Sequence, residues 1–178
     1  MRMKKFFLLF AFMLMCVFSI KAQLYYFVKS GTEVTSNTTI MLVYVSGTRL
    51  YSDTKTASEI SSKLHSNSSY WEDWMYKLLQ KYDEHYKYDS SLSTSSYDVY
   101  KCPWRGMGNM AMTNGVYGPR FSYVKGSQIG DLYYGISSDG RTCIEWKQRK
   151  DSDEVLERTY WERIDTDILN KDPHDFLR

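Results

Sequence analysis

Residues 39–46 read Thr-Ile-Met-Leu-Val-Tyr-Val-Ser, a nearly continuous apolar run rich in strand-favouring residues. Successive side chains of a β-strand point to opposite faces, so a strand that is apolar at almost every position is typical of one buried on both faces. Gly47 follows the run and permits a turn into Arg49–Tyr51. This stretch therefore predicts a β-strand that other elements cover on both sides.

Further strand-like segments lie on both sides of this run. Leu24–Lys29 is aromatic and β-branched, and Tyr97–Cys102 follows the Ser/Thr-rich linker Ser90–Ser96. Residues 103–119, which are rich in Gly and Met, match no periodic pattern. Four more strand candidates make the C-terminal third a predicted β-meander: Arg120–Lys125, Gly130–Ser137, Arg141–Gln148 and Val155–Ile164.

The Ser-Asp-Gly turn at residues 138–140 allows two registers for its hairpin. A two-residue Asp-Gly loop places Ile136 opposite Cys143, whereas a three-residue loop places Tyr134 opposite Ile144. A one-residue slip sends every side chain to the other face of the sheet. We expect the three-residue loop, with its glycine in the left-handed region, because this register makes one face of the hairpin consistently apolar.

Residues 56–88 interrupt the strand pattern with two helical signals. Thr56 and Glu59 have the spacing of a capping box before a short helix, and Ser69 and Glu72 repeat it before a longer one. We expect the apolar face of the longer helix to pack on the sheet, the alternative being an exposed ligand or membrane platform. That face comprises Trp71, Trp74, Met75, Leu78, Leu79, Tyr82 and Tyr86.

Together these elements predict a mainly β fold with a helical insertion, in the α+β class. A long antiparallel set favours a curved sheet or a barrel-like meander, with one long and one short helix packed on it. An α+β sandwich is the alternative. Residues 23–178 are expected to form a single β-rich domain, with the insertion at about 56–88, because roughly 156 residues suffice for one core.

Residues 1–22 have the parts of a cleavable secretory signal peptide. A basic start precedes the apolar run Phe6–Phe18, and Ala22 supplies a small residue at the cleavage point. The apolar run of 13 residues is shorter than the ~20 that span a bilayer. We therefore expect export to the periplasm or the extracellular space, with no further transmembrane segment. The alternatives are an uncleaved membrane anchor and lipid attachment at Cys16.

Cleavage would reverse the sign of the net charge. The whole chain has 23 basic and 21 acidic residues, a net charge of +2, and residues 1–22 hold four basic residues and no acidic one. The remaining chain has 19 basic and 21 acidic residues, a net charge of −2. Nucleic-acid-binding domains neutralise phosphates with a basic patch, so we expect no nucleic-acid partner.

Two cysteines, Cys102 and Cys143, remain after cleavage. An even pair in an exported chain predicts a disulfide, because the compartments outside the cytoplasm are oxidising. Closing a loop of about 42 residues would stabilise the folded state by ~4 kcal/mol in the chain-entropy model. The alternatives are two separate buried thiols and a catalytic thiol at Cys102, with a histidine that the fold brings beside it.

Motifs of the common catalytic and cofactor sites are missing. The histidines His65, His85 and His174 form no pair at metal-ligand spacing, and no Cys-x-x-Cys occurs. There is no Gly-x-Ser-x-Gly motif, and no phosphate-binding loop or dinucleotide fingerprint follows a strand. We therefore assign no catalytic residue, no metal site and no cofactor.

Aromatic content is the unusual feature, with 16 Tyr, 5 Trp and 8 Phe. Tyr and Trp in an exported β protein line sugar-stacking surfaces or apolar pockets, or they fill the core of a sheet. We expect a non-catalytic binding or interaction domain whose ligand or surface partner is unknown, with a glycan among the candidates. The alternative is a hydrolase that acts on glycans or peptides through dispersed carboxylates or Cys102.

Three short pieces carry a resemblance to known chains. They are Lys21–Phe27 (KAQLYYF), the turn Ser137–Arg141 (SSDGR) and the closing strand Tyr160–Ile164 (YWERI). With the Met/Phe-rich leader, they resemble small secreted proteins of unknown function in the Bacteroidota. The resemblance implies residence in the periplasm or outside the cell, and it implies no particular activity.

Overall fold

The computed structural model describes residues 22–82, 85–115, 118–152 and 154–169, and for residues 109–123 it describes the backbone alone. The predicted signal sequence before Ala22, including Cys16, lies outside the described residues, as does His174. None of the helices in the described ranges is long and apolar enough to cross a bilayer.

The described part of the chain is built mainly of strands, with three short helices. The helices are α1 (Ala57–Ser66), α2 (Tyr70–Lys81) and α3 (Thr166–Leu169). In chain order the strands are β1 (Gln23–Lys29), β2 (Thr39–Ser46), β3 (Arg49–Thr56), β4 (Tyr86–Tyr88), β5 (Tyr97–Arg105), β6 (Asn109–Gly115), β7 (Gly118–Val124), β8 (Gln128–Ser137), β9 (Thr142–Arg149) and β10 (Val155–Arg163).

Eight of these strands close into an antiparallel barrel in the order β1-β10-β9-β8-β5-β4-β3-β2. This confirms the prediction of a mainly β, barrel-like fold. Strands β6 and β7 form a separate two-stranded sheet, so the segment 103–119 that matched no pattern contains the end of β5, all of β6 and the start of β7. Barrel closure leaves the sheet without an open edge, which removes the usual hazard of edge-to-edge association.

Strand β2 is buried on both faces, as its sequence predicts. Ile40, Leu42 and Tyr44 belong to a cluster with helices α1 and α2, whereas Met41 and Val43 belong to the cluster inside the barrel. The interior cluster is completed by side chains from all seven other strands of the barrel. They are Phe27, Leu50, Tyr100, Tyr134, Ile136 and Cys143, with Tyr25, Val45, Tyr86 and Trp161 packed against them.

Helices α1 and α2 are inserted between β3 and β4 and pack on the outer side of β2. The buried residues of α2 are Trp71, Met75 and Leu79, and the indole N–H of Trp71 donates to the carbonyl oxygen of Ile60 on α1 at 3.2 Å. The predicted packing of this face on the sheet is thus confirmed at Trp71, while Trp74 and Leu78 are only partly buried.

The helix boundaries differ in part from the prediction. The capping box of α1 is present, because the Thr56 side chain accepts from the Glu59 N–H and the Glu59 carboxylate accepts from the Thr56 N–H. Ser69 makes no such bond to α2. The helices have 10 and 12 residues, so they are not one long and one short. Tyr86 lies in β4, because closure of the barrel requires a strand between β3 and β5.

The register of the β8–β9 hairpin is the one that we did not expect. Ile136 lies opposite Cys143, and four residues, 138–141, join the strands. The Asp139 carboxylate accepts from the Arg141 N–H at 3.0 Å, and the Ser137 hydroxyl accepts from the Thr142 N–H at 2.9 Å, so side-chain oxygens support the wider turn. Gly140 has the predicted left-handed conformation, with φ of 68°.

The structure does not form the predicted disulfide between Cys102 and Cys143. Cys102 pairs with Leu132 on one side of β8, and Cys143 pairs with Ile136 on its other side. Four residues along a strand and two strand spacings separate them, about 13 Å by ~10 Å. A disulfide requires Cα atoms within about 7 Å. Cys143 is fully buried inside the barrel.

Alkylation of the denatured, unreduced protein should therefore label both Cys102 and Cys143, as read by peptide mass mapping. In the native protein Cys143 should react slowly, because burial raises the pKa of its thiol and the thiolate is the reactive form. Recovery of a peptide pair joined by a Cys102–Cys143 bond would contradict this register.

The substitution Trp71→Ala should lower the free energy of unfolding by ~3–5 kcal/mol, because it opens a cavity between α2 and the barrel and removes a buried hydrogen bond. Urea unfolding provides the measurement. Lys77→Ala, on the exposed face of the same helix, is the control and should change the value by less than ~0.5 kcal/mol. Equal effects of the two substitutions would show that this face of α2 is not packed on the barrel.

Candidate functional site

The helices cover one side of the barrel and leave the other side open. Helices α1 and α2 contact β2 and β3, and within the described residues no helix lies over the outer face of β5, β8 and β9. Several side chains with apolar and aromatic surface point outward there. The uncovered face is therefore where a ligand has access to the sheet.

A groove of about 250 Å³ crosses this face. Gly135 on β8 forms its floor, with Tyr97 of β5 and Trp146 of β9 beside it. A Cβ atom at Gly135 would lie 3.3 Å from Trp146 Cζ3 and 3.7 Å from Tyr97 Cδ1, so the two rings approach the backbone where a side chain is missing. We call this feature the aromatic groove; its lining residues are Leu92, Thr94, Tyr97, Val99, Gly135, Ile144, Trp146 and Arg158.

Neighbouring side chains hold the two aromatic walls of the groove in place. Trp146 lies opposite Tyr133, and the two rings stack with centroids 4.9 Å apart and planes 5° apart. Offset stacking of this kind stabilises a pair beyond its buried area. The Tyr97 hydroxyl lies 3.4 Å from the Thr142 hydroxyl of β9. The groove is thus formed before any ligand arrives.

One rim of the aromatic groove is the loop between β4 and β5, which carries Leu92 and Thr94. Asp89 orders this loop, because its carboxylate accepts from the Ser91 N–H at 3.0 Å and from the Ser91 hydroxyl at 2.6 Å. Its other oxygen lies 2.9 Å from Lys101 Nζ. The hydrogen bonds from Ser91 and Lys101 lower the pKa of Asp89 to about 2.

A second cleft, of about 370 Å³, lies further along the same face. We call it the cationic pocket, because its lining residues are His85, Lys87, Lys101, Pro103, Arg105, Gln128 and Asp131. The Asp131 carboxylate accepts from the Gln128 side-chain N–H at 2.9 Å. Basic side chains outnumber this single carboxylate, so the pocket favours an anionic group.

The strand register places cations side by side at the cationic pocket. Arg49 of β3 lies opposite Lys87 of β4, and Lys87 lies opposite Lys101 of β5. Like charges directly opposite each other destabilise a sheet. Lys101 is compensated by Asp89, and within the described residues no carboxylate lies within ion-pair distance of Lys87. Such an arrangement is typical of a site whose ligand supplies negative charge.

The same row continues into the aromatic groove. Lys101 lies opposite Tyr133, Tyr133 opposite Trp146, and Trp146 opposite Arg158 of β10. Cationic and aromatic side chains thus follow one another across six strands from β3 to β10. With strands about 4.8 Å apart, this row follows the curved wall for roughly 24 Å, five of the eight strand spacings of the closed barrel, from β3 beside the helices across the uncovered face to β10. It is long enough for a chain-like ligand rather than a single small molecule.

Carboxylates do not converge at these two clefts in the described residues. The aromatic groove has none, and the cationic pocket has Asp131 alone. A nearby depression lined by Glu145 and Glu157 has a volume of only about 30 Å³, and Glu157 is paired with Lys147. Glycoside hydrolysis requires two carboxyl groups that flank the scissile bond, an arrangement that neither cleft provides.

The candidate residues from the sequence are dispersed in the structure. Cys102 is buried on the inner face of β5. His65 lies on α1 with Nδ1 3.3 Å from the Ser61 carbonyl oxygen, and His85 follows α2 rather than lying on it. Among the described residues, no cluster of three Asp, Glu, His or Cys side chains suits a metal ion.

The residues of the two clefts could not be selected from the sequence. Gly135, Lys87 and Arg158 belong to no motif, and they acquire a common role only through the strand register. The aromatic content was the usable signal, because adjacent tyrosines such as Tyr133 and Tyr134 must point to opposite faces.

Comparison of the chain with protein-family models, curated proteins and solved structures finds no match. The resemblance to secreted Bacteroidota proteins therefore stays a prediction, and the function has to be argued from the site itself.

The stabilisation by Asp89 should depend on pH. A carboxylate whose folded pKa is about 2 rather than 3.8 stabilises the fold fully above pH ~5, and this contribution is lost as the pH falls through 2. The free energy of unfolding of wild type should therefore exceed that of Asp89→Asn by a constant amount above pH ~5, and the two should converge near pH 2. Asp151→Asn, in the exposed turn before β10, is the matched control. A titration midpoint of Asp89 near 4 by carboxyl NMR would contradict the ordered loop.

Proposed function

We propose that the protein is an exported, non-catalytic carbohydrate-binding domain that holds a glycan chain on the uncovered face of its barrel. The observation that carries the proposal is the aromatic groove, in which the rings of Tyr97 and Trp146 both lie close to the backbone of Gly135. Sugar rings have apolar C–H faces and polar edges. Such a ring fits a groove with aromatic walls and polar rim groups.

The chemistry of the groove suits this ligand. Tyr and Trp offer large, rigid contact area, and Arg158 and Thr94 at the rim can hydrogen-bond to sugar hydroxyls. Because Trp146 is already stacked on Tyr133, little side-chain freedom is lost on binding. A sugar is strongly hydrated, so much of the free energy gained from its contacts is offset by the cost of removing its water. Walls that are already ordered lower the remaining entropic cost of binding.

The cationic pocket supports a preference for acidic glycans. Lys87 and Lys101 lie in the same row as Trp146, so a chain that crosses the groove passes the cations as well. Uronate or sulfate groups would relieve the repulsion between the two lysines. We therefore propose that acidic polysaccharides bind more tightly than neutral ones, by an amount that declines as salt is added.

The location proposed for the protein is consistent with such a ligand. If residues 1–22 act as the secretory signal that their pattern predicts, the domain is delivered to the periplasm or outside the cell. Polysaccharides are present in both compartments. The proposal involves binding without turnover, since the aromatic groove has no carboxylate among its described lining residues.

A glycan array of neutral and acidic polysaccharides, followed by calorimetry on the best ligand, tests the proposal. Trp146→Ala should weaken binding at least about tenfold, because it removes one wall of the groove. Tyr76→Ala, which removes an aromatic side chain that is 49% exposed on α2, is the control and should bind as wild type does. Full affinity of Trp146→Ala, or an array without any bound polysaccharide, would refute the proposed function.

A further inference from the structure

A third cleft, of about 460 Å³, lies at one end of the barrel and shares no lining residue with the aromatic groove or the cationic pocket. The start of β1, the end of β4 and the start of β5 meet there, and they contribute Tyr25, Tyr88 and Tyr100. We call this cleft the barrel mouth. Three tyrosine side chains in one cleft are notable because each offers an electron-rich ring face and a phenolic oxygen.

The tyrosines of the barrel mouth differ in exposure but pack together. Tyr100 is buried, Tyr25 is partly buried and Tyr88 is 38% exposed. The rings of Tyr88 and Tyr100 meet edge to face with centroids 5.6 Å apart. The Tyr25 hydroxyl donates its proton to Gln23 Oε1 at 2.8 Å, which leaves the phenolic oxygen as an acceptor. Aromatic surface and acceptor oxygens therefore share one cleft.

The barrel mouth carries a single charged side chain among its described lining residues, the carboxylate of Asp98. Asp98 lies opposite the buried Ile136, so it belongs to the inward-facing set of β5, but near the start of the strand its own side chain is exposed. Burial of the two rings is the largest cause that raises the pKa of Tyr25 and of Tyr100, and the negative charge of Asp98 raises both further. Within the described part of the chain, no basic side chain lies within ion-pair distance of this carboxylate.

A ring of the barrel mouth already attracts a cation from the protein. The guanidinium of Arg163 lies over the ring of Tyr25, 5.5 Å from its centroid. Arg163 is not one of the residues that line the cleft. Cations are attracted to the faces of aromatic rings, and this attraction strengthens when water is displaced, as in aromatic cages for quaternary ammonium groups. The Tyr25 ring also stacks on Phe27, with centroids 5.8 Å apart, so a second cation in the cleft would meet chiefly the rings of Tyr88 and Tyr100.

We infer that the barrel mouth is a binding site for a small organic cation that bears an ammonium group. The tyrosine rings would surround the ammonium group, and the Asp98 carboxylate would neutralise its charge. The inference is independent of the proposed glycan site, because the barrel mouth and the aromatic groove share no lining residue. A neutral ligand of the same shape would leave the carboxylate uncompensated.

Choline chloride and its neutral isostere 3,3-dimethylbutan-1-ol are the probes for this site. Titration of each into the full protein, followed by the ring resonances of Tyr25, Tyr88 and Tyr100, should show saturable binding of choline and none of the alcohol. Equal binding of both compounds would overturn the inference, because it would show an apolar cleft without selection for charge. Absence of choline binding would overturn it as well.

Two substitutions separate the roles of charge and ring. Asp98→Asn should weaken choline binding at least about tenfold, whereas Asp151→Asn removes an exposed carboxylate beyond the other end of β9 and should have no effect. Tyr88→Ala should lose most of the affinity and Tyr88→Phe should keep it, since the ring rather than the hydroxyl contacts the cation. Unfolding curves of each variant establish that the fold is intact.

The outcome for Trp146→Ala distinguishes this site from the glycan site. That variant should bind choline as wild type does, because Trp146 does not line the barrel mouth. For the same reason, a glycan array without any bound polysaccharide would not count against the choline site. Loss of choline binding on Trp146→Ala would place the ligand at the aromatic groove and overturn the barrel mouth as its site. Unchanged choline affinity of Asp98→Asn would also overturn the barrel mouth as the binding site.

Discussion

The burial of β2 on both faces connects the two parts of the hydrophobic core. Met41 and Val43 fill the barrel, while Ile40, Leu42 and Tyr44 hold the helices against its outer wall. Complete burial of an aliphatic side chain stabilises a fold by roughly 1.5–3 kcal/mol, so this one strand supplies a large favourable term on each side. Because helices α1 and α2 pack against β2 and β3, no helix in the described part of the chain covers the opposite wall of the barrel.

The uncovered wall acquires its chemistry from closure of the barrel. The three-residue strand β4 joins β3 to β5, and in doing so it brings Lys87 between Arg49 and Lys101. The four-residue connection between β8 and β9 then sets Tyr133 beside Trp146. Cations and aromatic rings therefore form one continuous row, although they come from segments that are distant along the chain. A polymer with ring faces and acidic groups is the ligand whose chemistry matches that row.

Aromatic side chains have three different roles in this molecule. Trp71 fixes the helical layer, Tyr86 and Tyr134 fill the barrel with ring centroids 4.7 Å apart, and Trp146 borders the open groove. The tyrosines at the barrel mouth belong partly to the interior cluster and partly to solvent. The high aromatic content thus reflects both a packed core and aromatic side chains that line the surface clefts.

Local interactions were readable from the sequence. The double burial of β2, the Thr56–Glu59 capping box, the strands β8, β9 and β10 of the predicted four-strand meander and the left-handed Gly140 each depend on residues a few positions apart, whereas β7, predicted as the first strand of that meander, pairs with β6 instead. The hairpin register, the strand position of Tyr86, the separation of the two cysteines and both proposed binding sites depended on pairing between distant strands. Pairing is decided by the total burial of a closed barrel, and a one-residue slip changes the face of every side chain. For that reason the sequence determined most of the elements, whereas the tertiary structure decided the strands β4 and β6 and which side chains meet.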